Sequence, residues 1–344
     1  MEFATSAKAR RESVIIGVDV GATTLSGGLV QPDGRVLTSV ERPTHQRGRG
    51  TGVEQLLDVV RHLQGEARRR KARIRGVGVG LPGIVDVDSG MMTGEGGNLV
   101  PEFAKVPIAE RITEATGLRA FVDNDVNALA LAEHRYGAGV GVRSLVVLAL
   151  GTGPGGAIIL NGELVRGRSG YGGELGHIPI TLDGTPCICG GRGCLSTYVS
   201  GEYIAREARA QAREHPESRL AALAAGDPAA VTTRAVFEAA RDGDAIARAL
   251  VQRACEGLGA GLATVLNALN PDLVVITGGM TASLVPLEAE IMKQAAKYVF
   301  PRVLADTAIR FTTSSKRDTV RGGAALFLYE VERRRRRGQV TTGR

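Results

Sequence analysis

Three of the four cysteines in the 344-residue chain fall within eight positions: Cys187, Cys189 and Cys194. His177 stands ten residues upstream of the first of them. Three thiolates and one imidazole make the donor set of a closed, tetrahedral Zn2+ site. Such a site keeps no open position for water, so a structural role is expected. Its expected job is to rigidify the loop carrying Glu174 and to orient His177, whose other ring nitrogen can donate to a substrate hydroxyl. Disulfides are the competing use of these thiols. They are not expected here, because the polar start Met1–Arg11 lacks the apolar stretch of a signal peptide and a reducing, cytoplasmic location is expected. Cys255 stands alone in a helical stretch and reads as core.

A second constellation is built of glycine. Asp19-x-Gly21-x-Thr23, Gly151-Thr152-Gly153 and Thr277-Gly278-Gly279 each follow an apolar strand. Tight turns expose backbone N–H groups, and Thr23 and Thr152 add hydroxyls, so such turns can cradle phosphate oxygens. Asp19 is a candidate Mg2+ ligand, directly or through water. The third turn, before a helix, can take a ribose or α-phosphate. One glycine turn is most often only a turn; three in this context read as a nucleotide site. The chain has neither a P-loop nor a dinucleotide fingerprint in the required context.

Asp123-Asn124-Asp125 closes a strand and runs into a helix, with Asn127 following. One of these residues can serve as an N-cap. A carboxylate here can also take a hydroxyl proton during phosphoryl transfer, and Asp125 is the candidate. Asn98, Glu174 and His177 lie in glycine-rich loops and are residue types that bind sugar hydroxyls. His45, His62, His134 and His215 read as surface residues.

These residues must be positioned by an α/β framework. The pattern runs strand (13–19), turn, strand (25–30), strand (36–40), helix (52–65), strand (74–80), helix (107–116), strand (120–123) and helix (126–136). It then partly repeats, with strand 144–150, a glycine turn over 151–156 and a return strand 157–160. A helical region over about 201–267, a strand at 273–276 and helices over 281–299 and 319–334 follow. Two units that open alike suggest an internal duplication.

Hydrophobic residues make up 43% and charged residues 23%, an ordinary globular balance that excludes disorder, coiled coil and collagen. No apolar run is long enough for a membrane span. The net charge of +7 is concentrated in two runs, 68–73 and 333–337. No exposed aromatic pattern or nucleic-acid motif accompanies them, so they read as a solvated helix end and a basic tail, with no nucleic-acid partner expected.

The chain resembles the ROK family of repressors and sugar kinases, most closely its glucokinases, over roughly residues 14–330. The resemblance rests on Gly176-His177 with Cys187-x-Cys189-Gly-Gly-x-Gly-Cys194. Asp19-x-Gly-x-Thr, Gly80-x-Pro-Gly-x-Val, Asn124-Asp125-x-Asn127 and Leu150-Gly-Thr-Gly support it. It implies an actin-like ATPase (ribonuclease H-like) fold of two lobes around a cleft, with a zinc-binding loop. The expected small lobe is 13–125 with the helix 319–334; the large lobe is 126–318 with the zinc loop 177–194, and 335–344 is a flexible tail. The resemblance further implies Asp125 as general base, and acceptor contacts from Gly83, Asn98, Asn124, Asp125, Glu174 and His177. ATP contacts fall at Thr23, Thr152 and Gly279, and a homodimer is common in the family.

The expected activity is ATP-dependent phosphorylation of a hexose primary hydroxyl, with ATP, Mg2+ and a structural Zn2+. Glucose is the default acceptor, and an amino sugar or a sugar-like C7 cyclitol the alternative. Three positions depart from the glucokinase pattern. Ser196 replaces the Glu that follows Gly-Cys-Leu, Val100-Pro101 replaces Gly-Trp after Asn98-Leu99, and the first turn reads Val20-Gly-Ala-Thr-Thr24. A ROK repressor is disfavoured because only about twelve residues precede the first strand, and a silent sugar sensor because Asp125 and the turns are present.

Overall fold

The computed structural model describes residues 12–45, 50–93, 99–223, 227–313 and 316–338. The chain divides into two units, Met1–Gly137 with Ser315–Arg344, and Ala138–Ser314.

In the first unit the run SVIIGVDV forms β1 (Ser13–Val20), the centre of a five-stranded sheet. It is apolar on both faces because both faces are covered. β2 (Thr24–Val30) and β3 (Val36–Pro43) extend the sheet antiparallel on one side. After α1 (Gly52–Arg69), β4 (Arg73–Leu81) returns parallel to β1 on the other side. A small ribbon, β5 (Val85–Asp86) with β6 (Met91–Met92), precedes α2 (Ile108–Thr116). β7 (Ala120–Asn124) then closes the parallel edge and leads directly into α3 (Asp125–Tyr136).

Alternation sorts the strand residues between two cores. Val14, Ile16 and Val18 pack with Leu56, Val60, Leu63 and Ile112 from α1 and α2. Ile15 and Phe121 pack on the opposite face with Val320, Ala324 and Phe327 of the C-terminal helix, Lys316–Arg336. Glycine permits that helix to lie on the strands. A Cβ at Gly78 would stand 1.8 Å from the Gly323 carbonyl oxygen, and one at Gly17 would stand 1.9 Å from that of Val320.

The second unit repeats the plan. β8 (Leu145–Leu150), β9 (Pro154–Leu160) and β10 (Glu163–Leu164) are antiparallel neighbours. Next come the zinc-loop region, α4 (Ser196–Val199), α5 (Gly201–Glu214), α6 (Arg219–Leu223), α7 (Thr233–Arg241) and α8 (Ala245–Leu269). β11 (Leu273–Thr277) lies parallel to β8. α9 (Thr281–Leu284), α10 (Glu288–Ala295) and α11 (Pro301–Asp306) follow, and β12 (Ala308–Phe311) pairs parallel with β11. The strand order β10-β9-β8-β11-β12 matches β3-β2-β1-β4-β7 position for position, as the duplicated pattern suggests.

Several expected bounds move. The helical region over 201–267 is broken into separate helices at Pro216, at Pro228 and at Gly243, whose φ is +99°, because proline and left-handed glycine end helices. Pro286 likewise divides 281–299. The second glycine turn is only Gly151–Gly153; Gly155 and Gly156 belong to β9, opposite Ala149 and Leu148. α3 belongs to the first unit rather than the second, because it packs against the C-terminal helix, where a Cβ at Gly322 would lie 3.2 Å from the Ala128 backbone. That helix runs through Arg336, two residues into the expected tail, and 339–344 lie outside the described residues. Among the described residues no helix is long and apolar enough to cross a membrane.

Candidate functional site

The ligand atoms of His177, Cys187, Cys189 and Cys194 all lie within 4.8 Å of one another. Cys189 Sγ and Cys194 Sγ are 3.7 Å apart, and His177 Nδ1 is 3.5 Å from Cys187 Sγ. Zn–S bonds of about 2.3 Å and a Zn–N bond of about 2.0 Å set tetrahedral edges of roughly 3.8 and 3.5 Å. The four donors therefore fit one tetrahedral Zn2+. A disulfide is excluded for Cys189 and Cys194 at this separation, since S–S is about 2.05 Å. With no metal, burial first and then the Cys189 and Cys187 thiols push the Cys194 thiol up to about 12, so a metal must displace a proton on binding. Nδ1 is the metal-facing nitrogen of His177, which leaves Nε2 for a second partner.

Glycine fixes this loop to β9. A Cβ at Gly176 would meet the Pro154 carbonyl oxygen at 2.3 Å, and one at Gly156 would meet that of Gly173 at 2.5 Å. The 3₁₀ turn Leu175–His177, headed by Glu174, is thus held on the return strand of the β8–β9 hairpin. Glu174 is half-buried, and burial raises its pKa while His177 lowers it. A partly desolvated carboxylate is a strong acceptor for a hydroxyl.

The loop's far end reaches the second glycine turn. Four residues after Leu195, Val199 ends α4, and the Ser200 hydroxyl donates to the Thr152 carbonyl at 2.6 Å. It also accepts from Tyr203 N–H as the N-cap of α5. Gly201 N–H donates to the Gly151 carbonyl at 2.9 Å and Glu202 N–H to that of Thr152 at 3.2 Å. The Thr233 hydroxyl fixes Gly201 through its carbonyl at 2.7 Å. A cavity of about 300 Å³ opens here, lined by Gly151, Thr152, Gly201, Arg209, Thr233 and Gly279, among others. The second and third glycine turns therefore share one cavity. Gly278 is required at the third: its φ is +105°, and a Cβ would meet Leu150 O at 2.4 Å. A larger cavity of about 740 Å³ shares Thr233, Gly279 and Met280, with Phe237, Val251 and Leu287 as apolar wall and Arg234 and Arg248 as cations.

In the first unit, Gly21–Thr23 join β1 to β2, and Gly21 N–H donates to Thr24 O at 3.0 Å. Asp19 is half-buried two residues before the turn. The turn is clamped by Thr44, fully buried, whose hydroxyl donates to Gly21 O at 2.7 Å and whose N–H donates to Thr23 O at 3.0 Å.

At the carboxyl ends of β4 and β7, Asn124 is the N-cap of α3: its side-chain oxygen accepts from Val126 N–H (2.8 Å) and Asn127 N–H (3.1 Å). Its amide donates to Gly83 O at 3.1 Å, so Gly83 and Asn124 are brought together. Asn127 donates to the buried Asp123 at 3.0 Å. Beside the Asn124 cap, Asp125 Oδ1 also accepts from Val126 N–H, at 2.9 Å. It is half-buried at the first turn of α3. Gly80 lets that turn approach β4, since a Cβ there would lie 3.1 Å from Asp125 Cα. Asn98 lies outside the described residues. Ser196 is buried, 4% exposed, at the start of α4.

Thr44, Ser200, Gly201 and Thr233 were not singled out in the sequence. Ser200 carried a legible sign, a cap residue before a helix; the clamping role of Thr44 depends on a contact 23 residues away.

A family model described as "ROK family" matches residues 15–330. A glucokinase of Halalkalibacterium halodurans is 35% identical over 316 residues, covering 90% of this chain and 94% of that protein. The DNA-binding transcriptional dual regulator NagC of Escherichia coli is 30% identical over 288 residues, covering 82% and 68%. A ROK family glucokinase from Streptomyces griseus, solved in complex with glucose and AMPPNP, matches with a TM-score of 0.75 and 28% identity, over 91% of this chain and 98% of that one.

Proposed function

The chain belongs to the ROK family, and on that premise we propose that it is an ATP-dependent kinase acting on the primary hydroxyl of a hexose, with glucose as the default acceptor. The observation that carries the reading is the cavity in the second unit where the glycine turns 151–153 and 278–279 meet beside Arg209 and Thr233. Backbone N–H groups and a guanidinium there suit phosphate oxygens, and the adjoining larger cavity suits a base and ribose. A relative solved with glucose and AMPPNP supports the same substrate pair.

In this reading Asp125 accepts the proton of the acceptor hydroxyl as the γ-phosphoryl group is transferred. Asn124, Gly83, Glu174 and His177 Nε2 are assigned to acceptor hydroxyls, with Asn98 as a further contact. The turns Gly21–Thr23 and Gly151–Gly153 hold phosphate oxygens through preorganised N–H groups, so charge on the transferring group is met without rearrangement. Asp19 is an oxygen donor of the kind Mg2+ takes, and the ion would neutralise phosphate charge. Zn2+ is assigned to His177, Cys187, Cys189 and Cys194 as a structural ion that fixes Glu174 and His177. A homodimer is part of the proposal.

Ser196 favours a second acceptor class. A short buried hydroxyl stands where the resemblance calls for a carboxylate, removing a charge-assisted hydrogen bond to the acceptor. An amino sugar or a C7 cyclitol is therefore the alternative. Coupled ADP release across glucose, mannose, N-acetylglucosamine, N-acetylmannosamine, a 3-amino-hexose and a C7 cyclitol ketone tests both readings. Highest kcat/KM on glucose supports the default; a strong preference for another acceptor moves the assignment to it. No turnover on any sugar, with ATP bound, overturns the kinase reading in favour of a sugar-sensing regulator.

A further inference from the structure

The two basic runs of the sequence lead to the same end of the first unit. α1 finishes in Arg68–Arg69, the chain turns at Arg70–Lys71, and β4 starts at Arg73. Arg119 stands just before β7, Arg135 in the last turn of α3, and Arg333–Arg336 in the last turn of the C-terminal helix. A bulge in the β1–β4 pairing falls at Arg75–Gly76, where the register shifts between Val14 and Ile16.

The arginines crowd one another. The Arg119 and Arg334 guanidiniums each lie 4.8 Å from the centre of the Phe121 ring. Arg75 is pulled below the usual arginine range by burial first, then by Arg335 and Arg135, with Glu332 opposing. Arg119 is lowered by burial and then by Arg334, with Glu330 opposing. Carboxylates answer in part: Glu330 pairs with Arg333 at 2.9 Å, Asp88 with Arg334 at 3.7 Å, and Glu332 with Arg135 at 3.0 Å. Arginine does not deprotonate in proteins, so an added anion would relieve the remaining repulsion.

The cluster is not part of the phosphoryl-transfer chemistry. Arg73 opens β4, whereas Leu81, before Gly83, closes it. At about 3.3 Å per residue these ends are roughly 26 Å apart.

We propose that this arginine cluster is a docking site for a linear inorganic polyphosphate chain. Guanidinium forks bind phosphate bidentately. Phe121 is only 4% exposed and already lies against two guanidiniums, and Phe327, packed on it with ring centres 5.6 Å apart, is 3% exposed, so neither offers a platform for a nucleobase. The C-terminal helix contributes only its last turn, because its length is packed on the sheet, so no helix is presented to a DNA groove. A flexible chain with a charge at every phosphate suits a compact, charge-only site better than a stiff duplex.

The test uses the full chain and long-chain inorganic polyphosphate, with affinity measured against salt. The variant Arg75→Gln/Arg119→Gln/Arg335→Gln is expected to bind at least tenfold more weakly and to lose about two units of log–log salt slope, at ~0.7 per phosphate contact. Arg73→Glu/Arg335→Glu changes two exposed residues and is expected to lose at least tenfold as well; it decides the matter if the first variant fails to fold. Wild-type affinity in the folded variants overturns the site. Equal binding of duplex DNA at the same phosphate concentration overturns the choice of chain.

Discussion

Removing one hydroxyl tests whether the second glycine turn is a phosphate seat. Ser200 is 2% exposed and makes two bonds with a single oxygen: it donates to Thr152 O at 2.6 Å and caps α5 through Tyr203 N–H at 3.3 Å. In Ser200→Ala the lost cap costs about 1 kcal/mol. The Thr152 carbonyl keeps Glu202 N–H at 3.2 Å and is not orphaned, so the lost donor costs about 1 kcal/mol rather than more. The sum, about 2 kcal/mol, lowers Tm by roughly 4–8 °C for a unit of this size. Only the bond to Thr152 O holds the turn. Its ~1 kcal/mol, realised when phosphate orders Thr152, raises KM for ATP about fivefold at tenfold per 1.4 kcal/mol. KM for the sugar is unchanged. Ser200→Thr retains the hydroxyl and is expected to restore most of both effects. Calorimetry with ADP-release kinetics reads each quantity. A variant with the Tm loss but wild-type KM for ATP would refute the reasoning, because the turn would then be stabilised by Ser200 without seating a phosphate.

Asp125→Ala is expected to lose on the order of 10²–10⁴ in kcat with little change in ATP affinity; wild-type turnover rejects the base assignment. Cys189→Ser is expected to lower bound zinc, measured by mass spectrometry, together with Tm, and metal binding to the wild type should release protons to a pH indicator. Full retention of metal and stability rejects the site. Burial raises the Glu174 pKa, so its folded-state penalty is absent below the ordinary carboxylate pKa and grows as pH rises through the raised value. Glu174→Gln should therefore match the wild type in stability at acidic pH and exceed it at neutral pH, while weakening acceptor binding; denaturant midpoints across pH check the sign. Gly323→Val should unfold the first unit or cost it several kcal/mol, since a Cβ there meets Gly78 O at 2.3 Å; an unchanged midpoint contradicts the packing.

What the sequence made legible was chemistry that is local along the chain. The cysteine spacing and His177 specify a four-donor set, and the donors converge within 4.8 Å. Strand–turn–strand patterns at 13–30 and 144–160 marked both hairpins, because apolar runs and glycine turns are short-range signals. Helix interruptions were illegible, since the alanine-rich stretch from 201 keeps helical composition through the breaks that proline and glycine impose. Thr44 and the Asn124–Gly83 bond were illegible for another reason: they join residues 23 and 41 positions apart. The division of the cap at 124–125 was illegible as well: Asn124 and Asp125 both accept from Val126 N–H, at 2.8 and 2.9 Å, and Asn124 also takes Asn127 N–H.

The C-terminal helix gives synthesis a peculiar timetable. The strands that it covers are all translated by residue 124, but Val320, Ala324 and Phe327, which seal Ile15 and Phe121, leave the ribosome long after them. At about 5–20 residues per second, roughly 200 residues separate the sheet from its cover by some 10–40 s. By the end of that interval the second unit, Ala138–Ser314, has its whole core in hand, whereas the earlier-made sheet has shown one apolar face to solvent and chaperones throughout. The nascent chain thus matures in reverse of the order in which it is read, and a message cut short before codon 316 yields one finishable unit and one that can never be closed.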